Sequence, residues 1–522
     1  MARFGIVALA ALLCSTATPL WAATCDSLAG LSLPESAKVE SATDIPAGAF
    51  APPGGAPETT LPAFCRVKGL ATPTPTSKIN FEVWLPAERW NGKYLQVGNG
   101  GFAGTILYAA MIDGLKRGYA VAGTDDGTAP PGDHSFLTDP ARIEDWGSRA
   151  VHGTAAASKE VVAKRYGADP KQAYFMGCSK GGHEAMMSAQ KFPADFTGLV
   201  GGNPAFDMTR LMAQMIWNAK HAAVLSEAKM AVLHKAVLAA CDRQDGAADG
   251  VLADPQACRF EPKSLQCKAG DAADCLSAEQ VAAAEAIYRG PTNPRTGESI
   301  YPGMPMGGEG PATSRDFNSR YAYGWQAMHD TPMVLPQPFY GVGVKGDAKW
   351  DWKTLDFDRD VVAARDRLGG LVDATSSGMF RFKATGAKLI LYMGLADPLY
   401  APGQLTNWYN RVVQTQAPTQ EAGAKAMDDT RGFARLFLLP GFGHCAGGPG
   451  PNVIDPLSAL EAWVEQRQAP EYLYAIKYAG SALQGGGKVE RTARVCAYPQ
   501  MARLKDKADP RKAESYSCVG PA

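Results

Sequence analysis

Three residues of this chain have the types and settings needed for acyl transfer: Ser179 in Gly177-Cys178-Ser179-Lys180-Gly181, Asp397 in Gly394-Leu395-Ala396-Asp397-Pro398, and His444 in Pro440-Gly441-Phe442-Gly443-His444-Cys445. A serine hydroxyl is a poor nucleophile until a neighbouring base takes its proton, and an imidazole is a dependable base when a carboxylate fixes its tautomer and orientation. Each of the three stands just past a short apolar run of strand character: Ala173 to Met176, Lys388 to Met393, and Ala434 to Leu439.

The pattern around the serine is that of a nucleophile elbow, in which a tight strand-to-helix turn holds the hydroxyl away from the backbone. Small residues two positions either side let strand and helix pack closely. The Ala/Met-rich segment after Ser179 is the helix, so the Lys180 amide points from its first turn toward the place where an oxyanion would develop. A second donor is expected from Gly98-Asn99-Gly100-Gly101-Phe102, a glycine cluster directly after a strand, although a plain tight turn would have the same composition. The order serine, acid, histidine along the chain is that of α/β-hydrolases. Among the seven histidines, His152, His221 and His234 fall in helical stretches. His134 and His329 lie outside strand-end loops, and His183 is on the elbow helix facing away from the proton to be moved, which leaves His444 as the base.

Strands are expected at Ile79 to Leu85, Lys93 to Val97 and Tyr119 to Gly123, and a helix from Trp146 to Tyr166 delivers the chain to the nucleophile strand. Alternating strands and helices predict a parallel α/β sheet. The segment from Cys25 to about Pro75 is rich in Ala, Pro, Gly and Thr and reads as surface wrapping. After Asn203-Pro204 helical stretches run from Met208 to Ala239, and Ala278 to Lys383 is dense in Gly, Pro and aromatics, with Trp325, Phe339, Tyr340, Trp350 and Trp352. That composition reads as a lid. The division predicted is a leader at residues 1–23, the first part of an α/β-hydrolase core at 24–204, a large inserted lid domain at 205–385, and the second part of the core at 386–522.

Arg3, an apolar run from Phe4 to Cys14, and small residues up to Ala23 make a secretory signal peptide, too short to span a bilayer. Removing Cys14 leaves ten of eleven cysteines, an even number that predicts disulfides and an oxidising compartment, secreted or periplasmic. No later run is long enough for a membrane span, and a formal net charge of zero gives no reason to expect nucleic acid as a partner. About 500 mature residues exceed one small core.

One further stretch carries chemistry: Cys241-Asp242-Arg243-Gln244-Asp245-Gly246-Ala247-Ala248-Asp249-Gly250-Val251, followed by Cys258. Three carboxylates in so short a turn repel one another unless a cation sits among them, and hard oxygen donors suit calcium. The ligand set expected is the side chains of Asp242, Asp245 and Asp249 with the carbonyls of Ala247 and Val251. The spacing is not that of an EF-hand, and a disulfide-braced acidic loop without metal is the plainer alternative.

Taken together, the elbow with Cys178 before the serine, the Gly-Leu-Ala-Asp-Pro loop, the Pro-Gly-Phe-Gly-His-Cys loop, the acidic loop and the closing Thr492-Ala493-Arg494-Val495-Cys496-Ala497-Tyr498-Pro499 stretch resemble the tannase and feruloyl esterase family, which includes mono(2-hydroxyethyl) terephthalate hydrolases. The resemblance covers nearly the whole mature chain. It implies disulfides Cys178–Cys445, Cys25–Cys65, Cys241–Cys258, Cys267–Cys275 and Cys496–Cys518, a structural calcium, and Gly101 with Lys180 as oxyanion donors, Gly100 being able to replace Gly101. It also implies that Tyr400 stands beside the ring of a small aromatic ester. Lys180 and His183 depart from the residues relatives often carry. The expectation is a serine carboxylesterase for phenolic acid esters. The alternatives are a terephthalate half-ester hydrolase, for which Arg315 and Arg320 are the nearest cations in the inserted segment, and, in a different class, a non-catalytic calcium-stabilised binding module.

Overall fold

A computed structural model of the chain describes residues 23–310, 324–330, 333–417, 423–479 and 487–520. Residues 1–22 of the expected signal peptide, and Arg315 and Arg320, lie outside the described residues.

Ten strands form one sheet: β1 (Ser32–Leu33), β2 (Ala37–Ile45), β3 (Phe64–Ala71), β4 (Ile79–Pro86), β5 (Lys93–Val97), β6 (Ala120–Thr124), β7 (Gln172–Cys178), β8 (Gly198–Gly202), β9 (Lys388–Gly394) and β10 (Ala434–Leu439). Their spatial order is β1-β2-β3-β4-β6-β5-β7-β8-β9-β10. The pairs from β1 to β4, and β4 with β6, are antiparallel; every pair from β6 through β10 is parallel. Parallel neighbours need crossovers, and helices such as Ala150–Tyr166 and Lys180–Lys191 supply them. Strands covered on both faces read as unbroken apolar runs, and β6 is buried at every position. This is the α/β-hydrolase core, with β7, β9 and β10 ending at the three loops expected to carry chemistry.

Glycines in β8 let neighbouring side chains enter: a Cβ on Gly202 would stand 2.0 Å from the Tyr392 ring. The segment from Cys25 to Pro75, expected to wrap the surface, instead adds β1 to β3 as an antiparallel extension. Its Lys38, Glu40, Ser41, Thr43 and Lys68 fall at exposed positions, which lowers its apolar content, and a register shift between Val39 and Ser41 interrupts the alternation of β2.

Between β8 and β9 the chain runs through helices Met208–Ala222, Glu227–Cys241 and Ala278–Arg289, the last opened by a capping box between Ser277 and Gln280. The inner faces of this segment continue the core: Leu211, Ile216, Phe339 and Tyr340 belong to the same apolar cluster as Phe175, Leu199 and Leu389. Trp325, Phe339 and Tyr340 are fully buried packing residues, whereas Trp350 and Trp352 are half-buried at its edge.

After β10 the chain makes a three-stranded sheet of β11 (Val453–Ile454), β12 (Tyr472–Tyr478) and β13 (Val489–Cys496), then a hairpin of β14 (Met501–Leu504) and β15 (Tyr516–Val519). All five expected disulfides are present, Cys178–Cys445 bridging residues 267 apart in sequence. Among the described residues no helix is long and apolar enough to cross a membrane.

Candidate active site

The residue between β7 and the helix Lys180–Lys191 is Ser179, at φ 62° and ψ −115°. A non-glycine residue takes that conformation only when its surroundings enforce it, and here the enforcement is visible. Ser179 N–H donates to the Gly202 carbonyl at 2.9 Å, and its own carbonyl accepts from His183 and Ala205 at 3.0 and 3.1 Å. A Cβ on Gly177 would lie 2.6 Å from Gly181 Cα, so strand and helix meet backbone to backbone.

Asp397, which follows β9, is buried, and its Oδ1 accepts the amides of Leu399 at 2.8 Å and Tyr400 at 3.1 Å. Its Oδ2 lies 2.8 Å from His444 Nδ1 and also accepts from Asn203 Nδ2. A carboxylate has no proton to give, so Nδ1 carries the hydrogen and Nε2 is left with the lone pair of a base. Asn203, at φ 37° past the end of β8, also donates to the Gly443 carbonyl at 3.3 Å. It thus ties the acid loop to the histidine loop.

The remaining link is covalent. Cys178 and Cys445, the residues immediately before Ser179 and after His444, are joined with Cα atoms 5.9 Å apart, which holds the serine loop and the histidine loop side by side. Tyr400 closes the group: its hydroxyl is 3.0 Å from Ser179 Oγ, and its ring meets that of His444 edge-on with centroids 4.6 Å apart. The structure therefore gathers Ser179, His444, Asp397 and Tyr400 at one place.

The glycine loop after β5 packs against the start of the elbow helix, the Asn99 carbonyl accepting from Gly181 N–H at 2.8 Å. Gly101 has φ 57°, and a Cβ there would come within 3.5 Å of the Leu335 side chain; a Cβ on Gly100 would meet nothing within 4 Å. Leu335, from the inserted segment, thus approaches the loop expected to bind the oxyanion, a contact that sequence reasoning missed. Asn203 was missed too, though a polar residue directly after Gly201-Gly202 at a strand end was the signal available.

Lys180 opens the elbow helix, but its side chain turns inward. Nζ sits 2.8 Å from Glu184 Oε1 and 3.2 Å from Asp126 Oδ2, all three side chains being at most 1% exposed. Burial alone would lower the lysine's pKa, yet the two carboxylates raise it. Burial, and then the charge of Glu184, push Asp126 well above the usual carboxylate range. His183 is held well below the ordinary imidazole value by burial and by Lys180, and its Nε2 donates to the Val372 carbonyl at 2.8 Å. Its ring is buried and held by the Val372 carbonyl, consistent with the expectation that it faces away from the proton to be moved.

The acidic loop is closed by Cys241–Cys258 and rests against β13 through Arg491 and against β14, where a Cβ on Gly246 would stand 3.5 Å from the Leu504 side chain. Asp242 accepts the amides of Gly250 and Val251 at 3.0 and 3.2 Å, Asp245 that of Ala247 at 2.9 Å, and Asp249 binds Arg491 at 2.7 Å. Asp245, Asp249 and Val251 line a cavity of about 50 Å³ together with Arg491 and Tyr516. Burial raises the pKa of both carboxyls, more than offsetting Arg491 at Asp249, and each also feels the other acids of the loop. The donor chemistry suits calcium, but the three carboxylates do not converge to within 4.8 Å as a set, and Asp242 is turned into its own loop. Cys25, Asp44 and Cys65 do converge; their two sulfurs are spent in a disulfide, which leaves no thiolate for a metal.

A cavity of about 500 Å³ lies beside the acid and histidine loops, lined by Leu395, Pro440, Arg494 and Tyr498 among others, with none of Ser179, Asp397 and His444 in its wall.

The family profile described as tannase and feruloyl esterase matches residues 65–519. An uncharacterized esterase of Xanthomonas campestris pv. campestris is 39% identical, over 95% of this chain and 91% of its own. The mono(2-hydroxyethyl) terephthalate hydrolase of Piscinibacter sakaiensis is 30% identical, over 92% and 88%. The crystal structure of feruloyl esterase B from Aspergillus oryzae superposes with a TM-score of 0.83 at 27% identity, covering 95% of this chain and 99% of that one.

Proposed function

The chain belongs to the tannase and feruloyl esterase family and is a carboxylic ester hydrolase, and from that premise we propose that it hydrolyses esters of aromatic, phenolic acids through Ser179, His444 and Asp397. In this reading His444 Nε2 takes the Ser179 proton as Oγ attacks the ester carbonyl. Asp397 holds the imidazole in the required tautomer and stabilises the imidazolium. The amides of Lys180 and of Gly101 or Gly100 bind the resulting oxyanion. His444 then returns the proton to the departing alcohol, leaving an acyl group on Ser179, and a water activated by the same nitrogen releases the acid.

The observation that carries the reading is the Asp397–His444 hydrogen bond of 2.8 Å beside a serine held at φ 62° by the elbow. The preference for phenolic acids rests on the similarity to feruloyl esterase B and on the setting of the serine, where Tyr400 offers an aromatic ring and a neutral hydroxyl. A terephthalate half-ester would need a cationic partner for its free carboxylate. Export to an oxidising compartment is part of the proposal, supported by the five disulfides. So is a structural calcium at the acidic loop, where Asp245, Asp249 and Val251 line the cavity; to complete the set with the Ala247 carbonyl, Asp242 would have to turn from the amides of Gly250 and Val251, and the bound ion would neutralise acids that otherwise repel one another.

The test is kcat/KM measured side by side on methyl ferulate, methyl gallate and mono(2-hydroxyethyl) terephthalate. The proposal expects a methyl ester of a phenolic acid to lead. A terephthalate preference of tenfold or more, about 1.4 kcal/mol in transition-state binding, would overturn it.

A further inference from the structure

Three loops meet under the nucleophile: the glycine loop after β5, the Thr124-Asp125-Asp126-Gly127 loop after β6, and the elbow after β7. One buried group of ionisable side chains joins them. Lys180 lies between Asp126 Oδ2 and Glu184 Oε1, and the other oxygen of Glu184, Oε2, accepts the amide of Asn99 at 3.0 Å. The Asn99 carbonyl in turn accepts from Gly181 N–H at 2.8 Å. Both hydrogen-bonding groups of the Asn99 backbone are therefore held by the elbow helix. Clearance is as tight, since a Cβ on Gly98 would stand 2.7 Å from Gly181 Cα and 2.8 Å from Glu184 Oε2. Asp126 reaches the cluster from a left-handed conformation, φ 58°, and the Trp146 ring lies 5.3 Å from Lys180 Nζ.

Burying a lysine together with two carboxyl groups is a poor way to gain stability, because desolvation consumes most of the Coulomb attraction, and apolar side chains of the same volume often do as well. What such a cluster provides is placement. An oxyanion hole depends on placement above all, since its donors act only if they already point at the position where charge will develop.

We propose that Glu184 is a positioning residue for the oxyanion hole: its Oε2 fixes Asn99, and through Asn99 the amides of Gly100 and Gly101, while Lys180, backed by Asp126, holds its other oxygen. This rests on the reading of Ser179 as nucleophile and of the glycine loop as oxyanion donor.

The experiment measures 4-nitrophenyl acetate turnover, inhibition by 2,2,2-trifluoroacetophenone and melting temperature for wild type, Glu184→Ala, Glu184→Asp and Glu184→Gln. The ketone adds to a serine hydroxyl as a tetrahedral oxyanion, so its inhibition constant reads the hole without turnover. Glu184→Ala should lower kcat by roughly 10²-fold and weaken the ketone by a similar factor, with KM within about threefold of wild type. Glu184→Asp keeps a charge for Lys180 but withdraws the carboxylate by one methylene, and should lose at least about tenfold in both readouts. Glu184→Gln keeps an acceptor of the same reach and should stay above the aspartate variant in both. If the alanine variant fails to fold, the comparison of Asp with Gln decides: equal kcat and equal ketone affinity overturn the proposal. So does a lowered melting temperature with kcat and ketone affinity within about threefold of wild type, the signature of a brace alone. A wild type that the ketone does not inhibit overturns the serine reading underneath, and is distinguished by involving no variant.

Discussion

The group of loops that carries Ser179, Asp397 and His444 and the acidic loop are each braced by a disulfide, and they treat their carboxylates in opposite ways. Asp397 has every oxygen answered, by His444, Asn203 and the amides of Leu399 and Tyr400. In the loop from Asp242 to Val251, burial holds Asp245 and Asp249 above the usual carboxylate range, and Arg491 answers only one of them. The first arrangement is complete without an added ion. In the second, ionising the acids costs free energy that a cation would recover.

The comparison breaks most sharply at the nucleophile. Ser179→Ala should lower ester hydrolysis by roughly four orders of magnitude or more with little change in melting temperature, as read by steady-state kinetics and thermal unfolding. Next in size, Asp397→Asn keeps the shape but offers His444 Nδ1 an amide that can present the wrong dipole. The expected loss in kcat is roughly 10³-fold, and chelator should not alter it. A smaller effect is expected from Cys178→Ser with Cys445→Ser, which unties the serine and histidine loops. That pair should lower kcat/KM roughly tenfold, a larger proportional change than the shift it causes in melting temperature.

The acidic loop responds to a different treatment. Chelation should leave kcat within about twofold while lowering the melting temperature by roughly 5 °C, since a ligand bound only to the folded state stabilises it by mass action. The pH dependence follows from the sign of the shifts. Asp245 and Asp249 have raised folded pKa values, so in the metal-free fold they favour stability at low pH and lose that contribution as pH rises through the folded pKa. Bound calcium would reverse this by favouring the ionised acids, so the chelation effect should be greater at pH 8 than at pH 5. An unchanged melting temperature at both pH values, with no calcium in elemental analysis, would remove the ion from the account.

How much of this was legible beforehand depends on how local each signal is. Ser179, Asp397 and His444 stand in glycine-bearing loops after apolar runs, and the physics that places them, a turn at a strand's end, is written within a few residues of each. The strands carrying them were legible for the same reason. Glu184 and Asn203 were not, because each acts through a partner far away in sequence: 85 residues separate Glu184 from Asn99, and 194 separate Asn203 from Asp397. Leu335 belongs to this group too, since no pattern around it announces that it abuts Gly101. The strands β2 and β3 were hidden for another reason: five of the nine residues of β2 are exposed polar ones and a register shift between Val39 and Ser41 interrupts its alternation, so composition resembled a wrapping loop. The acidic loop shows the reverse. Its residue types read as oxygen donors, but whether they converge is a matter of backbone path, and Asp242 points into its own turn.

The central claim is that Ser179 forms the covalent bond to the acyl group. It is tested most directly by peptide mapping after reaction with diethyl 4-nitrophenyl phosphate, which phosphorylates an activated serine and stays attached. The account predicts one label per molecule, on the peptide carrying Ser179, with esterase activity lost in proportion to labelling and no label in Ser179→Ala. A label on another residue, or full activity in a fully labelled protein, would contradict it.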